Sequence, residues 1–262
     1  MFIGISQRLV CNESYAELRE ALSIEWGALF NAEFKDFLPL PLCVEIPFSR
    51  YENVLKGVIL SGGNDLSVFN DLRQNQIRDN YEAQILTHCA NLNIPVLAIC
   101  RGAQFMAHFF GSEILSYQNH IGAHLVCDSQ GREFSVNSFH NYAIMNLGKD
   151  LECLARAQDN TIEAFRHKTL PFFALMWHIE RKNGLENKAI LESFKKEIFI
   201  YSQTKCNENI AEVSLDNFVG FLPCNPLGQA RNCENRTDSS IEQLSAQNPA
   251  KVPKRQTQGV KK

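Results

Sequence analysis

Ile94-Pro95-Val96-Leu97-Ala98-Ile99-Cys100-Arg101-Gly102-Ala103-Gln104 is the stretch on which the reading of this chain turns. The apolar run 95–99 predicts a buried strand, and 103–110 predicts a helix directly after it. Cys100 therefore falls on a tight strand-to-helix turn with small residues, Ala98 and Gly102, on either side, the arrangement of a nucleophile elbow. A cysteine placed there meets the open N–H groups and the positive dipole end of the following helix, which favour the thiolate. The competing reading is a buried structural cysteine closing a strand, and on this stretch alone the two stand level.

Two further segments tip the balance. Phe172-Phe173-Ala174-Leu175-Met176-Trp177-His178-Ile179-Glu180 is an apolar strand that delivers a histidine, with a carboxylate two residues on. A thiolate needs a base that holds its proton and returns it to a leaving group, and the base needs an acceptor that fixes its tautomer. A lone His-x-Glu would be an ordinary surface pair; beside Cys100 it becomes a candidate base and orienter. The third segment, Ser61-Gly62-Gly63-Asn64-Asp65, follows a strand at 57–60. Its glycines let backbone approach a carbonyl substrate, so the N–H groups of Gly63 and Arg101 are candidates for an oxyanion hole. By itself Gly-Gly is a turn.

Outward from these segments, residues 1–200 alternate short apolar runs with amphipathic stretches, the pattern of βαβ units on a largely parallel sheet. Strands are expected at 2–6, 37–42, 57–60 and 95–99, with helices at 16–30, 77–92 and 103–110. The first helix rests on Leu18, Leu22, Trp26 and Leu29. From 111 to 177 the pattern shortens into strands at 124–127, 133–137, 152–157, 161–165 and 172–177, and a last helix is expected at 187–199. After about Cys206 the composition turns to Asn, Gln, Ser and charge. The expected division is a catalytic domain at 1–205 and a polar, disordered tail at 206–262, in which only 213–222 has the apolar content to dock.

The 262 residues are 45% hydrophobic and 21% charged with a formal net charge of −3, ordinary values for a globular protein and no call for nucleic acid or an anionic membrane as partner. There is no signal-peptide pattern at the start and no run long enough to span a bilayer, so a cytoplasmic location is expected. Nine cysteines, without a Cys-x-x-Cys pair, speak against a disulfide scaffold or a zinc site.

A strand ending in Gly-Gly-x-Asp, an Ile-Cys-Arg-Gly-x-Gln elbow and a distal Trp-His-x-Glu, in this order and at these separations, resemble class I glutamine amidotransferase domains. The Arg78-Asp79-x-x-Glu82 helix before the elbow and Val136-Asn137-Ser138-Phe139-His140 after it resemble the C26 γ-glutamyl hydrolase group within that superfamily. The likeness covers roughly residues 1–200. It implies a flavodoxin-like three-layer α/β/α sandwich with a mostly parallel central sheet and a Cys100–His178–Glu180 triad, with Gly63 and Arg101 as oxyanion donors. Gln104, Ser138, Phe139 and His140 would lie on the substrate side; for His140 a structural hydrogen-bonding role stands level with a ligand role. Arg101 is a weaker candidate for the carboxylate of the glutamyl group. Three departures from the family pattern bear on this: Ala98 stands where glycine is common, Ile179 replaces the proline between His and Glu, and Asp159-Asn160-Thr161 alters an Asp-Gly turn.

The implied reaction is attack of the Cys100 thiolate on the δ-carbonyl of a small γ-glutamyl amide, through a thioester, with no cofactor and no metal. A free-standing hydrolase is favoured over a glutaminase module feeding ammonia to a separate synthase, because the chain has no room for a fused synthase. A γ-glutamyl-γ-aminobutyrate or polyamine-type hydrolase is an alternative, and a binding module with a vestigial triad a more distant one. An acidic pocket would select a cationic amine and a basic pocket a diphosphate, with Arg8, Arg73 and Arg78 as candidates for the latter. A homodimer is left open.

Overall fold

The structure, a computed structural model, describes residues 1–218 apart from Glu13 and Ala16. Its strands are β1 (Phe2–Ser6), β2 (Arg8–Asn12), β3 (Glu17–Ala21), β4 (Leu38–Leu42), β5 (Leu55–Leu60), β6 (Val96–Ile99), β7 (Glu113–Asp128), β8 (Glu133–Asn146), β9 (Leu151–Ala157), β10 (Ile162–His167) and β11 (Phe172–Leu175). Four α-helices accompany them: α1 (Glu25–Glu33), α2 (Arg73–Leu92), α3 (Arg101–Phe109) and α4 (Ala189–Phe218).

Nine strands form one sheet in the order β4-β1-β5-β6-β11-β10-β8-β7-β9. The first five run parallel, and the remaining four extend the sheet antiparallel. The parallel strands are apolar on both faces, and period-2 alternation sorts their side chains between two cores. Val58, Leu60, Val96, Ala98, Ala174 and Met176 meet Tyr81, Ile85, Leu86, Phe105 and Met106 of α2 and α3. On the opposite face Ile3, Ile5, Ile59, Leu97, Ile99 and Leu175 meet Trp26, Leu29 and Phe30 of α1 and Leu191, Phe194 and Ile198 of α4. The result is the expected three-layer α/β/α sandwich. Each fully buried Ile, Leu or Phe contributes about 1.5–3 kcal/mol.

Three expectations change. The helix expected over 16–30 starts only at Glu25; its first part is β3, which pairs with β2 in a two-stranded sheet, Arg8 opposite Ala21 and Asn12 opposite Glu17. Leu18 and Leu22 are four apart, a step that keeps residues on one face of a strand as well as of a helix, so spacing could not separate the two. The short pieces at 124–127 and 133–137 belong to one long hairpin, β7–β8, whose register runs from Glu113 opposite Asn146 to Cys127 opposite Glu133. Finally, α4 crosses the expected boundary at 205/206 and continues to Phe218. That segment is polar but contains neither Pro nor Gly, so nothing in it breaks a helix. Residues 219–262, with most of the expected tail and the end of the 213–222 segment, lie outside the described residues.

Candidate active site

β6 is flanked in the sheet by β5 and β11, and all three run parallel, with Ala98 opposite both Leu60 and Ala174. Their carboxyl ends therefore open on one edge of the sheet, where α/β folds place their ligands. The loop 61–64 leaves β5, Cys100 ends β6 and His178 follows β11. Residues that are remote in sequence become neighbours because their strands are.

Cys100 caps α3 with φ 50° and ψ −106°, the left-handed region that a non-glycine residue enters only when its surroundings enforce it. Its N–H donates to the Leu175 carbonyl at 2.7 Å, and its carbonyl accepts from the Gln104 N–H at 3.0 Å. The elbow packs so closely that a Cβ on Gly102 would lie 2.3 Å from the Leu60 carbonyl oxygen. Ala98 is fully buried without displacing the turn. A Cβ on Gly62 would come within 2.7 Å of His178 Cε1 and 3.6 Å of Cys100 Cβ, so the glycine clears the space in which thiol and imidazole meet.

His178 is buried. Its Nδ1 lies 2.6 Å from Glu180 Oε1, which leaves Nε2 to face Cys100. Ile179, buried at the site of the usual proline, does not divert the carboxylate, and the Glu180 side chain is itself 3% exposed. Burial pulls the imidazole down, but hydrogen bonds and charge from Cys100 and Glu180 outweigh it and hold the pKa at about 9. At neutral pH the imidazole is thus an imidazolium beside Cys100, with a proton in place for a leaving group.

The electrostatics carry a prediction. The imidazolium must keep its proton to deliver it to a leaving group, so activity should persist to about pH 9 and fall above it as that proton is lost. Replacing Glu180 by Gln removes the negative charge that favours the imidazolium, so the alkaline limb should move to lower pH. A kcat/KM profile of Glu180→Gln with its alkaline limb in the parent position would show that the carboxylate does not tune the base.

The candidate oxyanion loop is shaped from beneath. Arg78 of α2 donates to the carbonyls of Ser61 (2.6 Å), Gly62 (3.1 Å) and Gly63 (2.5 Å), and to Asn64 Oδ1 (3.2 Å). In a trans peptide the C=O and N–H point opposite ways, so holding the Gly62 carbonyl inward turns the Gly63 N–H outward. Gly63 has φ +83°, and neither its N–H nor that of Arg101, in the first turn of α3, has an acceptor among the described residues. Arg78 is fully buried; burial lowers it to about 10, opposed by its ion pair with Glu82 at 3.0 Å. It remains charged at neutral pH.

Several expected roles move. Arg78 and Arg101 are not available to a substrate: the Arg101 guanidinium is buried and paired with Asp79 and Glu82, so only its backbone N–H remains a site element. Arg73 is exposed at the start of α2 and lines no part of the cleft described next. Phe139 lies beside His178, with ring centroids 5.9 Å apart. Its neighbours Ser138 and His140 point to the opposite face of β8, as strand alternation requires. Ser138 Oγ donates to the His120 carbonyl at 2.7 Å, and His140 Nδ1 lies 3.0 Å from the Tyr142 carbonyl. Gln104 is buried and donates to the same carbonyl.

Asn137, Gly184, Arg8 and Arg181 complete the site, and of these only Gly184 and Arg181 lie outside the residues the sequence picks out. Asn137 brackets His178, accepting its N–H at 2.9 Å and donating to its carbonyl at 3.0 Å. A Cβ on Gly184 would lie 2.0 Å from that carbonyl, so the chain after Glu180 folds tightly under the histidine. A cleft of about 360 Å³ opens over Ser61–Gly63, His178 and Glu180, with Arg8 and Arg181 at its wall. Arg8 is carried by β2, which Asn64 pins to the oxyanion loop through paired bonds to the Leu9 N–H and carbonyl, each 2.9 Å. The β2–β3 hairpin, hidden in the sequence under a helical spacing, thus supplies one wall of the site.

Comparison with known proteins agrees with this architecture. Residues 44–198 match the family Glutamine amidotransferase class-I. A γ-glutamyl-CDP-amidate hydrolase of Campylobacter jejuni is 55% identical over 195 residues, covering 74% of this chain and 97% of the relative. A glutamine-hydrolysing GMP synthase of Campylobacter lari is 31% identical over 150 residues, covering 54% of this chain and 27% of that longer relative. Among solved structures, a glutamine amidotransferase from Thermotoga maritima superposes with a TM-score of 0.53 at 17% identity, over 80% of this chain and 85% of the other. With a cysteine elbow, a buried His–Glu pair and a glycine loop on one sheet edge, and with these relatives, the chain belongs to the class I glutamine amidotransferase family.

Proposed function

We propose that the chain hydrolyses γ-glutamyl-CDP-amidate to glutamate and cytidine diphosphoramidate, in the synthesis of capsular phosphoramidate groups. The observation that carries this reading is the 55% identity to the Campylobacter jejuni hydrolase across nearly the whole of that relative. The cleft supports it. Arg8 and Arg181 line its wall together with Ser61–Gly63 and His178, and the nearby Glu180 is turned inward onto His178. Arg8 has no carboxylate within ion-pair distance among the described residues, and Arg181, which lies over the Phe139 ring at 4.7 Å, has only long ion pairs, 3.8 Å to Glu25 and 3.9 Å to Glu180. A cleft of this character suits an anionic leaving group better than a cationic amine.

In the reaction the Cys100 thiolate adds to the δ-carbonyl and the developing oxyanion accepts the N–H groups of Gly63 and Arg101. The tetrahedral adduct collapses as His178 Nε2–H protonates the leaving nitrogen, breaking the C–N bond and leaving a glutamyl thioester. Water, deprotonated by the now neutral His178, adds to the thioester; the thiolate departs and glutamate is released. Glu180 keeps the imidazole in the required tautomer throughout, and Asn137 fixes its backbone.

Glutamate release from a panel of γ-glutamyl-CDP-amidate, γ-glutamyl-γ-aminobutyrate and glutamine tests the assignment. The expected outcome is a strong preference for the nucleotide conjugate. Appreciable turnover of glutamine alone would instead indicate a module that supplies ammonia to a synthase. Replacing either Arg8 or Arg181 by Ala should raise KM for the nucleotide conjugate by about 10- to 100-fold, the worth of one charge-assisted contact, and leave any turnover of glutamine unchanged. Equal losses on both substrates would mean that the arginines do not read the diphosphate.

A further inference from the structure

The inward face of hairpin β7–β8 is polar where a core is expected. Opposite β10 it presents His120, His124, Ser138 and His140, and β10 answers with Glu163, whose side chain is fully buried. His120 Nδ1 is 3.0 Å from Glu163 Oε1, His140 Nε2 is 3.6 Å from the same oxygen, and His124 Nε2 is 3.6 Å from Oε2. None of these contacts has hydrogen-bond alignment: both oxygens of Glu163, His120 Nδ1, His140 Nε2 and both nitrogens of His124 are buried without a hydrogen-bond partner among the described residues. Buried polar atoms are seldom left so, and here five of them meet around Glu163.

The outer contacts of two rings hold them in place. His140 Nδ1 faces the Tyr142 carbonyl at 3.0 Å; a carbonyl only accepts, so that nitrogen carries a hydrogen and Nε2 is the atom turned to Glu163. His120 Nε2 faces Asp159 Oδ2 at 2.8 Å, which turns its Nδ1 the same way. Three ring nitrogens thus converge on one buried carboxylate without an aligned hydrogen bond to it. A metal ion needs no such alignment between ligands.

We propose that His120, His124 and Glu163, with His140 beside them, bind a first-row divalent transition metal of the zinc class, clamping hairpin β7–β8 onto β10. Nitrogen and oxygen ligands at about 2.0–2.2 Å from a tetrahedral ion lie about 3.4 Å from one another. The 3.0 and 3.6 Å separations bracket that value, and the ligand atoms of His120, His124 and Glu163 all lie within 4.8 Å of one another. Asp159 and the Tyr142 carbonyl serve as the supporting acceptors that metal-bound imidazoles characteristically have. A mixed His–carboxylate set selects zinc, cobalt, iron or manganese over calcium or magnesium. The His124 side chain is 20% exposed, so rotation of that one ring gives an ion its way in. The ion has no step in the proposed hydrolysis; it secures β8, whose Asn137 holds the base.

The test uses the full chain carrying Cys100→Ser, so that the catalytic thiolate cannot capture the ion. After treatment with a chelator and dialysis, the protein is titrated with Co²⁺ and, separately, with Zn²⁺. One ion per chain by elemental analysis, visible cobalt bands of a nitrogen and oxygen site, and a rise in unfolding temperature are expected. His124→Ala in the same background should weaken Co²⁺ binding at least 10-fold while its circular dichroism stays native. No retained ion in the parent, or a strong near-ultraviolet thiolate-to-cobalt band placing the ion on cysteines elsewhere, would overturn the proposal. So would a folded His124→Ala variant that binds as tightly as the parent. Because the readouts are binding and stability, they stand apart from the identity of the hydrolysed substrate.

Discussion

Cys100→Ser is expected to lower glutamate release by on the order of 10⁴–10⁶-fold, the range over which loss of a covalent nucleophile acts, with folding and substrate binding retained. The hydroxyl is isosteric enough for the elbow, where Cys100 is held by the Leu175 carbonyl and the first turn of α3. It does not ionise near neutral pH. The charge from Cys100 that helps hold His178 at about 9 disappears with it, so His178 should also titrate lower, a change visible in its imidazole NMR resonances. Unchanged turnover in this variant would remove Cys100 from the mechanism.

The second large effect is expected at a residue that touches no substrate. Arg78→Lys keeps a positive charge beside buried Glu82, which would otherwise retain Arg101 as its ion-pair partner but lose the one at its other oxygen. A lysine is a point donor and cannot hold three successive carbonyls together with Asn64 as the planar guanidinium does. The Gly62–Gly63 peptide is then free to turn, and the oxyanion loses a donor. We expect kcat to fall by about 10²–10³-fold, with little change in KM and an unaltered rate of Cys100 alkylation by iodoacetamide, since Cys100 and His178 are untouched. A variant whose alkylation slows in step with turnover would show that Arg78 acts on the nucleophile and not on the oxyanion loop.

The sequence by itself determined the parallel half of the sheet and the chemistry at its edge. Apolar runs at β5, β6 and β11 can only be buried strands, and each ends in a residue type that a core has no use for: a glycine pair, a cysteine before glycine, a histidine before a carboxylate. Local chemistry of this kind is legible because it needs no partner to be recognised. What only the tertiary structure decided is what depends on a partner. The β2–β3 hairpin exists because residues 17–21 found β2, and a spacing of four could not say so. Arg78 and Arg101 read as free cations until Glu82, Asp79 and the loop carbonyls were seen to consume them. Ser138 and His140 looked like neighbours of Phe139 on the substrate side, and strand alternation sent them to the other face. Cysteine spacing spoke against a zinc site, yet three histidines from two strands and a glutamate from a third converge without any motif. Side-chain direction and long-range pairing are set by which strands lie side by side, and a linear chain does not carry that information at any single position.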